Sequence, residues 1–133
     1  MESFFICYVA VMELFAPGWS PGYEEQLMKT VPERFQTCVD LVETSKELGA
    51  KIDPALLVST AYEESKFDRH AISRVGARGP LQILPQYWCP NRKAKGCDFV
   101  VYGVKTLERF LSKHRKVSKA LCHYNAGNVC GRY

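Results

Sequence analysis

Residues 53–85 read DPALLVSTAYEESKFDRHAISRVGARGPLQILP. The stretch changes character halfway along. Asp53-Pro54 offers an N-cap followed by proline at the first helical position. Ile52 and Leu57 stand where a hydrophobic staple forms, so a helix is predicted from Asp53 to about Lys66. Beyond it, Gly76, Gly79, Pro80 and Pro85 forbid a long helix, while Ile72, Val75, Leu81 and Ile83 suit short strands or turns. The fold reading rests on this junction: an apolar helix that runs into a glycine- and proline-punctuated turn.

Two adjacent acids sit at the junction. On a helix, Glu63 and Glu64 point about 100° apart. Leu57, Thr60 and Ala61 precede Glu64 by seven, four and three residues and place it on or beside the inward stripe. The same offsets from Glu63 reach Leu56, Ser59 and Thr60, a more mixed face. Glu64 is therefore the better candidate for a partly buried carboxyl. Burial disfavours the charged form and raises the pKa, and an acid kept protonated near neutral pH can protonate a leaving-group oxygen. Periodicity alone leaves open a plain surface pair.

Working outward, the segment before residue 53 predicts an amphipathic helix, with Pro32 in its first turn, Gly49 at its end, and Phe35, Cys38, Val39 and Val42 at helical spacing. Phe4 to Met12 is continuously apolar, but Glu2 occupies the place of a basic leader region and Glu13 interrupts the far end. Eleven residues apart, the two acids share one helical face. The reading is a short buried or amphipathic helix rather than a cleaved leader, ended by a Pro- and Gly-rich loop at 16–22. On the other side, Cys89 to Cys97 bounds a basic loop holding Arg92, Lys93 and Lys95. A helix returns from Asp98 to about His114, with Val101, Val104, Leu107, Phe110 and Leu111 inward. Ser118 is a candidate cap for a last helix and Gly127 its stop. The chain reads as one mainly α domain with a small β or turn element: an apolar segment and loop over 1–22, then the main unit over 23–133.

With 133 residues, 47% hydrophobic and 24% charged, the chain can bury a core, which excludes disorder and coiled coil as its main organisation. No apolar run approaches the ~20 residues that span a bilayer. The net charge of +4 is unevenly placed: residues 1–64 carry eleven acidic and four basic side chains, residues 65–133 three acidic and fourteen basic. A basic half fits an anionic partner such as cell-wall polymer, anionic lipid or nucleic acid, or simply a solvated face. Six cysteines in a small domain fit a disulfide framework of an oxidising compartment, with reduced buried thiols as the alternative. Short closures favour Cys89–Cys97 and Cys122–Cys130 as pairings. No pair has zinc-ligand spacing, and His70, His114 and His123 are scattered. No metal or other cofactor is expected.

Three motifs carry a resemblance to a family. Glu64-Ser65-Lys66-Phe67 is similar to the Glu-Ser-x-Phe signature of the soluble lytic transglycosylases and goose-type lysozymes. Ser73 to Pro85 resembles that family's Ser-x-x-Gly-Ala-x-Gly-Leu-Met-Gln-x-Met-Pro stretch without gaps, and Leu121 to Gly127 its Ala-x-x-Tyr-Asn-Ala-Gly motif. The resemblance covers roughly residues 52–133. It implies a lysozyme-like fold, Glu64 as single catalytic acid/base, Ser73 in the cleft near the sugar N-acetyl group or the carboxyl, and Gln82 along the sugar subsites. Tyr124 would approach Glu64 or the N-acetyl carbonyl, and Asn125 would support that wall. Pro80-Leu81-Gln82 replaces the family's Leu-Met-Gln, and Leu84 its later Met; the changes touch the shape of a sugar subsite, not the chemistry.

The implied activity is lytic cleavage of peptidoglycan glycan strands by a monomer outside the cytoplasm, in the periplasm or cell wall, or as part of a phage virion or lysis apparatus. Tyr87, Trp88 and Tyr102 are candidates for stacking on sugar faces, or for core packing. Two other readings stay open: a goose-type hydrolase using the same Glu64, and a wall-binding or assembly module without essential catalysis. Nucleic-acid binding rests on the basic half alone and is not adopted.

Overall fold

The computed structural model describes residues 2–15, 21–114 and 116–126. Helix α1 (Glu2–Met12) buries one stripe, Ser3, Cys7 and Val11, spaced four residues apart. Its remaining face is apolar and exposed, with Phe4, Phe5, Tyr8, Val9 and Met12 all at least half open to solvent or nearly so. A 3-10 turn (Glu13–Phe15) follows and buries Leu14.

Helix α2 (Pro21–Glu47) is the spine, in contact with α1, with α3 (Pro54–Ser65) and with α5 (Phe99–Lys113). It starts eleven residues before Pro32, which lies inside it; the predicted start at Pro32 is corrected. Proline removes the hydrogen bond to the carbonyl four residues back. Pro32 and Met28 are both exposed, so water can take that partner's place. The far end is as expected. Gly49 adopts φ +63°, its N–H reaches the Lys46 carbonyl at 3.0 Å, and the Ala50 N–H reaches Ser45 at 2.9 Å. These two bonds form a Schellman motif, which stops the helix.

Helix α3 begins as its sequence predicts. The Asp53 carboxylate accepts from the Ala55 N–H at 2.8 Å, Pro54 occupies the first turn, and Ile52 and Leu57 both join the core. Its C-cap, Lys66, is left-handed. After the 71–83 turn come a single helical turn, α4 (Pro85–Trp88), and a 3-10 turn (Pro90–Arg92). Asp98 caps α5 by accepting from the N–H groups of Val100 and Val101. Helix α6 (Val117–Ala126) begins one residue before the predicted cap, Ser118, and Gly127 lies outside the described residues.

The expected β element is smaller than a strand. Arg78 forms isolated antiparallel bridges to Ile72 and to Ile83, the latter through bonds of 2.8 and 3.1 Å. Helix α5 clamps this turn. Gly79 has φ +82°, and a Cβ there would lie 2.5 Å from Cβ of Phe99, so only glycine fits. One turn along α5, Gly103 lets the Leu81 side chain approach to 3.0 Å from where its own Cβ would stand.

The core unites Val11, Cys38, Leu41, Leu57, Ala61, Phe67, Leu81, Val104 and Leu107 from α1, α2, α3, the segment after α3 and α5. Among the described residues, Phe67 is the largest wholly buried side chain. The Cys89–Cys97 disulfide is present as expected. A second, Cys7–Cys38, staples α1 to α2. Cys122 is disulfide-bonded too; the Cys130 of the expected pairing lies outside the described residues. Among the described residues no helix is long and apolar enough to cross a membrane.

Candidate active site

Glu64 stands on the last turn of α3, one residue before its end. The helical stripe that carries it inward is buried: Leu57 and Ala61 wholly, Thr60 nearly so. Glu64 itself is half-buried and Glu63 exposed. Desolvation first, and the adjacent Glu63 charge second, hold the Glu64 carboxyl above its ordinary value. Glu63 turns instead toward an apolar hollow of about 600 Å³ between α1 and α3. The two neighbouring acids thus face different environments.

The 71–83 turn is tied directly to this helix end. Ser65 donates to the Pro80 carbonyl at 2.8 Å. Tyr124 arrives from α6 and donates its hydroxyl to the next carbonyl, that of Leu81. Burial, and secondarily the negative charge of Glu64, hold the Tyr124 phenol above its usual value, so its proton stays on and the two groups share one field. The Tyr124 ring is braced edge-on by Phe110 of α5 at 5.5 Å, and Phe110 by Trp88 at 5.6 Å.

The other residues of interest lie on the turn or beside it. Ser73 accepts the Ala77 N–H at 3.1 Å and closes the tight turn at its tip; accepting that bond leaves its hydroxyl proton available to another group. Gln82 adopts φ 51°, and its amide nitrogen donates to the carbonyls of Ala71 and Gly79 at 3.1 and 2.9 Å. Its amide donors hold the turn in shape. Leu84, half-exposed, leads into α4 and accepts from the N–H groups of Tyr87 and Trp88. Of Asn125, the structure describes only its place in α6.

Among the candidate stacking residues, Tyr87 is open to solvent, whereas Trp88 and Tyr102 are half-buried. Arg109 lies over the Trp88 ring and Lys105 over Tyr102, each placing a cation on an aromatic face. Sequence reasoning assigned Ser65 no role beyond its motif, although its hydroxyl bridges the helix end and the turn. A hydroxyl one residue after an inward acid was the available signal. Among the described residues, no group of three or more His, Cys, Asp or Glu could hold a metal ion.

A half-buried carboxyl with a raised pKa, in the field of a protonated phenol, can give a proton to an oxygen leaving group and take one back. The three acids of the basic half each hold backbone N–H groups elsewhere. Asp68 accepts from His70, Asp98 caps α5, and Glu108 accepts from Lys51. Against known proteins, the sequence pattern of the Transglycosylase SLT domain matches residues 42–132. No solved structure gives a significant match.

Proposed function

The chain belongs to the transglycosylase SLT family, and on that premise we propose that it is a peptidoglycan lytic transglycosylase with Glu64 as its single acid/base. The family acts on peptidoglycan, so its work lies outside the cytoplasm. The bond cleaved is the β-1,4 link from N-acetylmuramic acid to N-acetylglucosamine. The observation that supports this reading most is the half-buried Glu64, whose hold on its proton is strengthened by desolvation and whose charge is felt by Tyr124.

Most glycosidases divide acid and base or nucleophile between two carboxylates. Here one suffices because the substrate supplies the rest. Glu64 passes its proton to the departing glycosidic oxygen as the bond from C1 breaks. The N-acetyl carbonyl oxygen of the muramic acid bonds to C1 in its place. The Glu64 carboxylate then removes the proton of the C6 hydroxyl, whose oxygen attacks C1 and displaces the N-acetyl oxygen. A 1,6-anhydro sugar results, Glu64 is protonated again, and no water is consumed.

Tyr124 retains its proton, hydrogen-bonded to the Leu81 carbonyl, so it braces the cleft wall and can still accept a hydrogen bond there, with Asn125 in support. Ser73 offers its hydroxyl proton to the N-acetyl group. Gln82 and Leu84 shape the wall rather than react, since the Gln82 nitrogen is bonded to the turn. The test is release of soluble fragments from purified peptidoglycan. Glu64→Gln should lower turnover by roughly 10²–10⁴-fold or more, the scale of general acid–base catalysis, while the protein stays folded by circular dichroism. Equal losses in Glu64→Gln and Glu63→Gln would contradict the assignment.

A further inference from the structure

Immediately after Glu64 and Ser65, the backbone adopts a conformation that side-chain-bearing residues avoid. Lys66 and Phe67 are consecutive left-handed residues, with φ 52° and 63°. Such a pair persists only where its surroundings hold it. Phe67 is held by burial and by edge-on contact with Tyr62 at 6.1 Å. The Lys66 carbonyl is held from α2: Arg34 Nη1 donates to it at 2.8 Å, while Arg34 Nε donates to Thr30 Oγ1 at 2.9 Å.

Arg34 belongs to a polar face of α2 that grips the segment leaving the helix. One turn further along, Arg69 bonds Thr37 at 3.3 Å and pairs with Asp40; Glu33 meets His70 at 3.1 Å. These partners recur every three to four residues, which is one side of a helix. Arg34 is the member whose partner comes nearest Glu64 in sequence, since Lys66 is two residues beyond it; Arg34 itself lies outside the matched residues 42–132.

We infer that Arg34 is a positioning residue for Glu64: by fixing the Lys66 carbonyl it holds the last turn of α3 at the angle from which the carboxyl reaches the glycosidic oxygen. This rests on the function proposed above. Proton transfer depends steeply on geometry, and a displacement of about 1 Å can lower a rate by roughly 100-fold. Arg34 touches no reacting atom, so its loss should appear in kcat and leave KM alone.

The experiment measures kcat and KM on purified peptidoglycan for wild type, Arg34→Met, Arg34→Lys and Thr30→Val, at a temperature where circular dichroism shows each folded. Arg34→Met should lower kcat about tenfold or more with KM within about twofold. Arg34→Lys keeps one charged donor and should recover part of the loss; Thr30→Val, which frees the guanidinium from its second anchor, should lower kcat by less than Arg34→Met. A purely structural arginine would lower Tm and leave kcat of the folded protein unchanged, and a folded Arg34→Met with kcat within about twofold of wild type overturns the inference. If Arg34→Met does not fold, unchanged kcat in both Arg34→Lys and Thr30→Val overturns it. An inactive wild type overturns the parent reading, and this inference with it.

Discussion

At the scale of single residues, the pair Glu63–Glu64 makes a signed prediction. In the proposed mechanism Glu64 is protonated before it cleaves, so kcat/KM should fall as pH rises through its raised pKa. Part of that elevation is the Glu63 charge. Glu63→Gln should therefore move the falling limb to lower pH and leave the plateau nearly unchanged, as a pH–rate profile will read. Stability carries the same sign. A carboxyl that binds its proton more tightly when folded favours folding below the ordinary carboxylate range, and that contribution is lost as pH rises through the folded value. Glu64→Gln should consequently raise Tm at neutral pH, with the gain shrinking in acid. The asymmetry between the two acids was legible in the sequence because it depends only on which helical neighbours are apolar. Arg34 was not legible: its partner is a backbone carbonyl 32 residues away, and no side-chain pattern announces such a contact.

At the scale of elements, local chemistry was readable and long-range closure was not. The cap at Asp53, the helix start at Asp98 and the stop at Gly49 depend on neighbours within a few residues, and all three form. Pro32 misled because packing of α2 against three partners outweighs one missing hydrogen bond. Cys89–Cys97 was reachable from its short span of 8 residues, whereas Cys7–Cys38 spans 31 and follows from tertiary packing of α1. Chain-entropy arguments assign about 2–3 kcal/mol to the shorter loop and about 3–4 kcal/mol to the longer. Replacing Cys7 and Cys38 together by alanine should thus lower the urea midpoint more than replacing Cys89 and Cys97. The opposite order would mean that α1 contributes less to the fold than its buried stripe implies. The turn from Ser73 to Gln82 was readable as a turn from its glycines and prolines. Its dependence on the Gln82 side chain was not, since the motif points that residue only toward substrate.

At the scale of the whole molecule, charge is the organising feature. The basic half displays Arg92, Lys93 and Lys95 in the disulfide-closed loop, and Lys105, Arg109, Lys113, Lys116 and Lys119 on or between α5 and α6, all exposed. Peptidoglycan presents peptide carboxylates, and such a surface raises the encounter rate with an anionic polymer until salt screens it at a Debye length of ~8–10 Å. Serine at Arg92, Lys93 and Lys95 together should raise KM on whole sacculi at low salt and leave saturating turnover almost unchanged. A loss of turnover as deep as that of Glu64→Gln would move the loop into the active site.

The central claim is that one carboxylate and the substrate's own C6 hydroxyl complete the reaction. It is tested most directly by digesting purified peptidoglycan in ¹⁸O-water and weighing the released muropeptides by mass spectrometry. The account predicts ends one water lighter than reducing sugars, free of ¹⁸O, and absent when Glu64→Gln replaces the wild type. Reducing ends that carry ¹⁸O at the time of cleavage would contradict it and identify a hydrolase using the same acid.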